Sequence, residues 1–286
     1  MSGSTQDLAP SAGPAPGSGG DRIRTGGGAD GPRTTPLGRM RALARAELTL
    51  LGRSPGTLFV ALFVPLALPA SLRTTVKDMD LAKHGLNLAE VLLPAAMGFA
   101  LLFAVYTALV STLVARREEL VLKRLRTGEA GDGEILVGGA VPAVAIGLAQ
   151  CLLVAVASTA VLDVELPGAP HLAVAGVLLG LVLSAVFATL TSAVTRTVES
   201  AGVTVMPFMM LSLIASGITV PLEVFPDRLR AVCELLPLSP VMALIRGAWT
   251  GELSAAETLG HLLTALAWIV LGCFAVRRWM RWEPRR

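Results

Sequence analysis

Residues 116–134, RREELVLKRLRTGEAGDGE, decide the fold. They are preceded by an uncharged apolar run over 91–115 and followed by another over 135–162. A transmembrane helix needs roughly 20 apolar residues to cross a hydrocarbon core about 30 Å thick. Both runs are long enough, so the stretch between them lies in water on one side of a membrane. It carries Arg116, Arg117, Lys123, Arg124 and Arg126, and basic loops stay on the cytoplasmic side.

Within the loop the pattern is that of a short helix. Glu119 and Lys123 form an i,i+4 pair in the favourable order, and Val121, Leu122 and Leu125 make a narrow apolar stripe. Gly128, Gly131 and Gly133 end it, because glycine supplies backbone freedom that a helix does not use. Spacing alone leaves two readings open. The loop is either a solvated basic segment that sets topology, or an amphipathic helix that docks into a groove on a soluble partner.

The segment resembles the first cytoplasmic loop of type 2 ATP-binding-cassette (ABC) exporter permeases, where a motif of the kind ERExxTLxxLRxTP forms the helix that touches the ATPase. The matching residues are Arg117, Glu118, Glu119, Leu122, Lys123, Leu125, Arg126 and Thr127, with Gly128 where the family often has proline. The resemblance implies ATPase-coupling roles for Glu118, Glu119, Val121, Leu122, Lys123, Leu125 and Arg126.

Composition agrees with a membrane protein. Hydrophobic residues make up 53% of the 286 and charged residues 16%, and the mean hydropathy is +0.67. Such an excess with repeated uncharged runs indicates a polytopic helical membrane protein. The net charge of +3 reflects cytoplasmic arginines; a nucleic-acid surface would need a clustered basic face on a folded domain. Cys151, Cys233 and Cys273 form no metal or disulfide pattern and read as small buried hydrophobes.

Residues 1–34 are rich in Gly, Ser, Pro and Ala and read as a disordered tail without the apolar core of a signal peptide; residues 35–286 form the membrane domain. Thr35 and Pro36 start a helix. Leu37, Met40, Leu43, Leu48 and Leu51 lie opposite Arg39, Arg41, Arg45 and Arg53, the pattern of an amphipathic helix in the cytoplasmic interface. A helix packed on a soluble domain would look the same, but a spanning segment follows at once. That first span, 57–72, holds Pro65 and Pro69; its lead-in also resembles the permease family. Residues 73–87 form an outer loop, and further spans are expected at 88–115, 135–162, 171–194, 201–218 and 259–276. Gln150, the one strongly polar side chain of the third span, suits an interhelical hydrogen bond better than substrate contact.

Between the fifth and sixth spans, 226–236 and 239–249 each read as helices too short to cross, with Pro237 between them and Ser239 as a cap before Pro240. They fit a re-entrant hairpin on the outer side or a plain amphipathic loop. This segment closely resembles the outer re-entrant hairpin of the same permease family at Gly217, Pro221, Pro226, Leu236, Pro237 and Arg246. Basic residues at the C-terminal end, Arg277, Arg278, Arg281, Arg285 and Arg286, flank Trp279 and Trp282 as interfacial anchors.

The fold class is therefore all-α integral membrane, with six spans, an N-terminal interfacial helix, an outer re-entrant hairpin between helices 5 and 6, and both termini cytoplasmic. The only lysines are Lys77, Lys83 and Lys123, none in a P-loop pattern, so the chain does not hydrolyse ATP through that motif. The histidines, His84, His171 and His261, make no ligand cluster. The resemblance implies a non-enzymatic permease in a bacterial cytoplasmic membrane, paired as a homodimer or heterodimer, with ATP and Mg on a partner ABC ATPase. Aromatics at 5% with one tyrosine favour a lipophilic cargo, a drug or lipid, over a glycan with its need for stacking faces. The alternatives are a polysaccharide or lipid-linked glycan exporter, an ion-coupled carrier, and a membrane enzyme. Uncharged spans disfavour the carrier, and no convergent catalytic groups support the enzyme.

Overall fold

The computed structural model describes residues 88–126, 131–162, 166–220 and 222–280, with scattered positions between 35 and 56. The expected tail, first span and first outer loop, together with Pro221, Arg281, Trp282, Arg285 and Arg286, lie outside the described residues. All regular structure among the described residues is helical.

The N-terminal helix is seen at its described positions between 38 and 56. Thr35 Oγ1 accepts the Gly38 N–H at 3.2 Å, the capping contact that a threonine three residues upstream supplies.

The central rod begins with α1 (Leu88–Ala100), passes through a π-helical segment (Leu101–Thr107) and continues as α2 (Ala108–Glu118). Together they contain the span Leu92–Glu118, the most buried of the spans. Its apolar residues are followed by charge only at Arg116, so nothing interrupts the helix inside a bilayer. The π turn inserts an extra residue without breaking the rod, which rotates the faces above and below it relative to one another. Periodicity gave no sign of this turn.

After α2 the chain makes a short helix, α3 (Val121–Arg126), then the long α4 (Asp132–Leu162) and α5 (Pro170–Val194). Pro170 starts α5 where its missing N–H costs nothing. The candidate span Val198–Ala215 is built of α6 (Val198–Thr204) and α7 (Met206–Ala215), with Pro207 beside the break. Next come α8 (Asp227–Glu234) and α9 (Ser239–Thr250), which meet at a bend of 100°. The last span is α10 (Ala255–Trp279), opened by a reciprocal cap between Ser254 and Glu257. Among the described residues, five helical stretches are long and apolar enough to cross a membrane, or six if the bent pair counts as one.

Around the rod pack α4, α5 and α9. Because lipid tails are as apolar as leucine, hydrophobicity does not drive these contacts; close packing and interhelical hydrogen bonds do. Close approach is visible where α5 meets α9. A Cβ at Gly176 would stand 2.8 Å from Ile245 Cγ1 and 3.2 Å from the Ile245 backbone nitrogen, and one at Gly180 would stand 2.9 Å from Val241 Cγ1. The Gly- and Ala-rich sequence of α5 is thus a packing surface, as its composition suggests.

In contrast, α10 is the least buried span. Leu263, Val270 and Phe274 are exposed along it, as are Leu148, Leu152 and Val156 on α4. Apolar faces of that extent belong against lipid or another protein. The three cysteines divide accordingly: Cys151 and Cys233 are buried, whereas Cys273 is exposed on α10. The expectation that all three are interior therefore fails at Cys273, because α10 turns that side outward.

Candidate functional site

The loop quoted at the outset is a corner rather than one continuous helix. Arg116, Arg117 and Glu118 are the last turn of the spanning rod, and the break falls at Glu119 and Leu120. Leu120 takes a left-handed conformation, φ +60°, where L-residues other than glycine are strained. The Glu119 N–H donates to the Ala115 carbonyl at 2.9 Å and the Leu120 N–H to the Arg117 carbonyl at 3.1 Å, closing the C-terminus of α2. Leu120 in turn accepts the Arg124 N–H at 3.0 Å, which starts α3. Glu118 and Glu119 therefore do not share a helix with Lys123 and Arg126, as the i,i+4 spacing predicts. The physical reason is the left-handed residue, which propensity could not place at a leucine.

The stripe expected on α3 is divided by burial. Leu122 is 1% exposed within the chain's own bundle, whereas Val121 and Leu125 are half-buried. Glu118, Glu119, Leu120 and Arg124 are exposed; the side chains of Lys123 and Arg126 lie outside the described residues. Leu122 thus holds α3 down against α2 and α4, which it packs between, and the outward face is Glu119, Leu120 and Arg124.

Arg117 reaches from this corner to the next. It is 1% exposed; its Nη1 donates to the Ser192 carbonyl at 2.8 Å and its Nη2 to the Thr195 carbonyl. Those oxygens lie at the C-terminal end of α5, where a cation meets the negative end of the helix dipole. Glu118 Oε1 accepts the Val198 N–H at 3.2 Å, at the start of α6. The turn between the helices is further fixed by reciprocal capping of Thr197 and Ser200. The sequence places Arg117 among the loop's bases and in the motif that resembles the coupling loop, and neither points to the end of α5. Its one signal was a pair of opposite charges adjoining an apolar run.

The second expected site falls on α8 and α9, two short helices that meet at a bend of 100°. Pro226 is exposed and precedes α8, Pro237 is buried in the bend, and Pro221 lies outside the described residues. Ser239 does not cap α9 with its side chain: Leu238 is the N-cap residue, and the Ser239 hydroxyl donates back to the Cys233 carbonyl. The tight bend turns Ser239 towards the preceding helix rather than towards its own. Trp268 Nε1 donates to the Leu235 carbonyl at 2.8 Å, so the bend sits within reach of the middle of α10. Arg246 Nη2 donates to the Gly217 carbonyl at 2.9 Å, and Gly217 has φ +74°, so two of the motif residues hold each other. A cavity of about 850 Å³ opens here, with Ser216, Glu234, Arg246, Glu257 and His261 among its lining residues.

The interior between these sites is aromatic. Tyr106, fully buried in the π turn, meets Phe208 with ring centroids 4.7 Å apart; Phe208 stacks on Phe187 at 4.7 Å, and Phe187 meets Trp268 at 6.0 Å. Tyr106 Oη and Thr191 Oγ1 share a hydrogen bond of 3.1 Å. Gln150 is fully buried as well. Among the described residues no group of three or more His, Cys, Asp and Glu side chains could hold a metal ion.

An apolar helical bundle with lipid-suited outer faces defines a multi-pass membrane protein. Residues 39–249 match the ABC-2 type transporter membrane family; the chain belongs to that family and is an ABC transporter permease. No curated protein matches it. Permeases of this kind work with an ABC ATPase, so the chain is a transport component.

Proposed function

We propose that this permease is the membrane half of a bacterial exporter that moves a lipophilic small molecule, a drug or lipid, out of the cytoplasm. Two permeases, identical or not, line the pathway in the cytoplasmic membrane, and a separate ATPase binds ATP and Mg. The observation that carries the reading is the family match over 39–249, which takes in both the α2–α3 corner and the hairpin. Placing the basic corner in the cytoplasm puts both termini inside and the hairpin outside, dipping back towards the middle of α10. Low aromatic content supports a cargo that dissolves in apolar surroundings rather than one that stacks.

At the ATPase, the outward side of the α2–α3 corner supplies the contact: Leu120 is the apolar anchor, flanked by Glu119 and Arg124, which set orientation. Nucleotide-driven closure of the ATPases then favours one arrangement of the membrane helices over another, and cargo must bind the two with different affinity.

The test is Leu120→Asn in the full chain. Asparagine accepts the left-handed backbone but removes the apolar contact. Loss of a central anchor costs about 1–3 kcal/mol, so ATPase recovered with the purified variant should fall about tenfold or more while insertion is unchanged. Full recovery of ATPase with Leu120→Asn, or of none with the unaltered chain, would sink the reading.

A further inference from the structure

We propose that Arg117 and Glu118 form a clamp that makes the α2–α3 corner and the α5–α6 corner one moving unit. A displacement of α3 is thereby delivered to α2, α5 and α6 together. The transmission role rests on the ABC coupling reading above; the clamp itself rests on geometry alone.

Two neighbouring side chains of opposite charge hold opposite helix ends. The Arg117 guanidinium takes carbonyls at the C-terminus of α5, Ser192 and Thr195, and the Glu118 carboxylate takes the first N–H of α6, that of Val198. Each charge meets the end of the dipole that favours it. Burying a guanidinium is costly unless its donors are used, so at 1% exposure the two carbonyl contacts of Arg117 are costly to break. A fork that spans two carbonyls fixes direction as well as distance, which a lysine does not. The joined parts are themselves stiff. Leu122 seats α3 in the bundle, and Thr197 with Ser200 locks the start of α6. Arg117 and Glu118 are therefore positioning residues, acting on transport through the helices they hold.

The experiment is hydrogen exchange on the full-length permease, alone and with its ATPase, with and without a non-hydrolysable ATP analogue. In the permease alone, the amides of 195–200 should exchange slowly, and at least tenfold faster in Arg117→Met and in Glu118→Ala. Glu118→Gln keeps an acceptor oxygen and should stay within about threefold of the unaltered chain. In the complex, the analogue should change exchange both in α3 and in 195–200. In Arg117→Met the change in α3 should remain while that in 195–200 disappears. Arg117→Lys serves the same comparison if the methionine variant does not fold. Unchanged exchange at 195–200 in folded Arg117 and Glu118 variants overturns the clamp. A nucleotide response at 195–200 of full size in Arg117→Met or Arg117→Lys overturns its transmission role. No response in α3 of the unaltered complex instead refutes the coupling reading.

Discussion

Leu120 and Leu122 are two leucines of one loop with opposite duties. Leu120 holds a left-handed backbone at φ +60° and is 40% exposed, a combination that costs stability twice over in an isolated chain. Strain retained at an exposed residue suggests a role outside the fold. Leu120→Gly should therefore raise resistance to thermal unfolding in detergent by about 1 kcal/mol, even as it weakens ATPase recovery. A lower melting temperature would contradict the strain argument. Leu122, being buried, behaves in the opposite way. Leu122→Asp would put a carboxylate where no water reaches, at a cost of several kcal/mol. We expect detachment of α3 and rapid proteolysis at 120–126, rather than an intact protein lacking only its partner. A Leu122→Asp protein as protease-resistant as the unaltered chain would show that Leu122 faces outward. The apolar stripe over Val121, Leu122 and Leu125 was legible in the sequence; which leucine faces in was not, because that depends on the Leu120 backbone and on α2 and α4.

At the scale of elements, the contact of α5 with α9 depends on the absence of side chains at Gly176 and Gly180. Gly176→Ala places its methyl 2.8 Å from Ile245 Cγ1 and 3.2 Å from backbone. The Ile245 side chain can turn away, but the backbone cannot. Overpacking of this kind costs about 1–3 kcal/mol, readable as a lower melting temperature in detergent, whereas Gly260→Ala, with open space around it, should be neutral or mildly stabilising. Equal effects at both positions would mean that α5 and α9 do not touch at Gly176. The small-residue composition of α5 announced a packing face; its partner did not show, since α9 lies far along the chain. The break between α8 and α9 was legible for a similar local reason: Pro226 precedes the first helix and Pro237 lies in the bend between the two. That the bend is tied to Trp268 is a tertiary fact, because a carbonyl left free at a bend gives no sequence signal of its own.

Across the whole molecule, the orientation argument leads to a labelling prediction. With the basic corner in the cytoplasm, a cysteine at Gly131 should react with an impermeant reagent only in inverted vesicles, and one at Lys83 only in intact cells. In both cases Cys273 is first replaced by serine, since it is exposed. Labelling of both from one side would end the six-span arrangement. Hydropathy and charge alone determined the class of protein and the order in which its long apolar helices follow one another. They could do so because a bilayer demands long apolar helices and sorts their connections by charge, rules that act on contiguous sequence. Tertiary structure decided the π turn that seats Tyr106, the inward face of α3 and the reach of Arg117 to the end of α5. Those depend on residues many helices apart: Arg117 and Ser192 meet only when α2 and α5 lie side by side, and no periodicity within either helix records its neighbour.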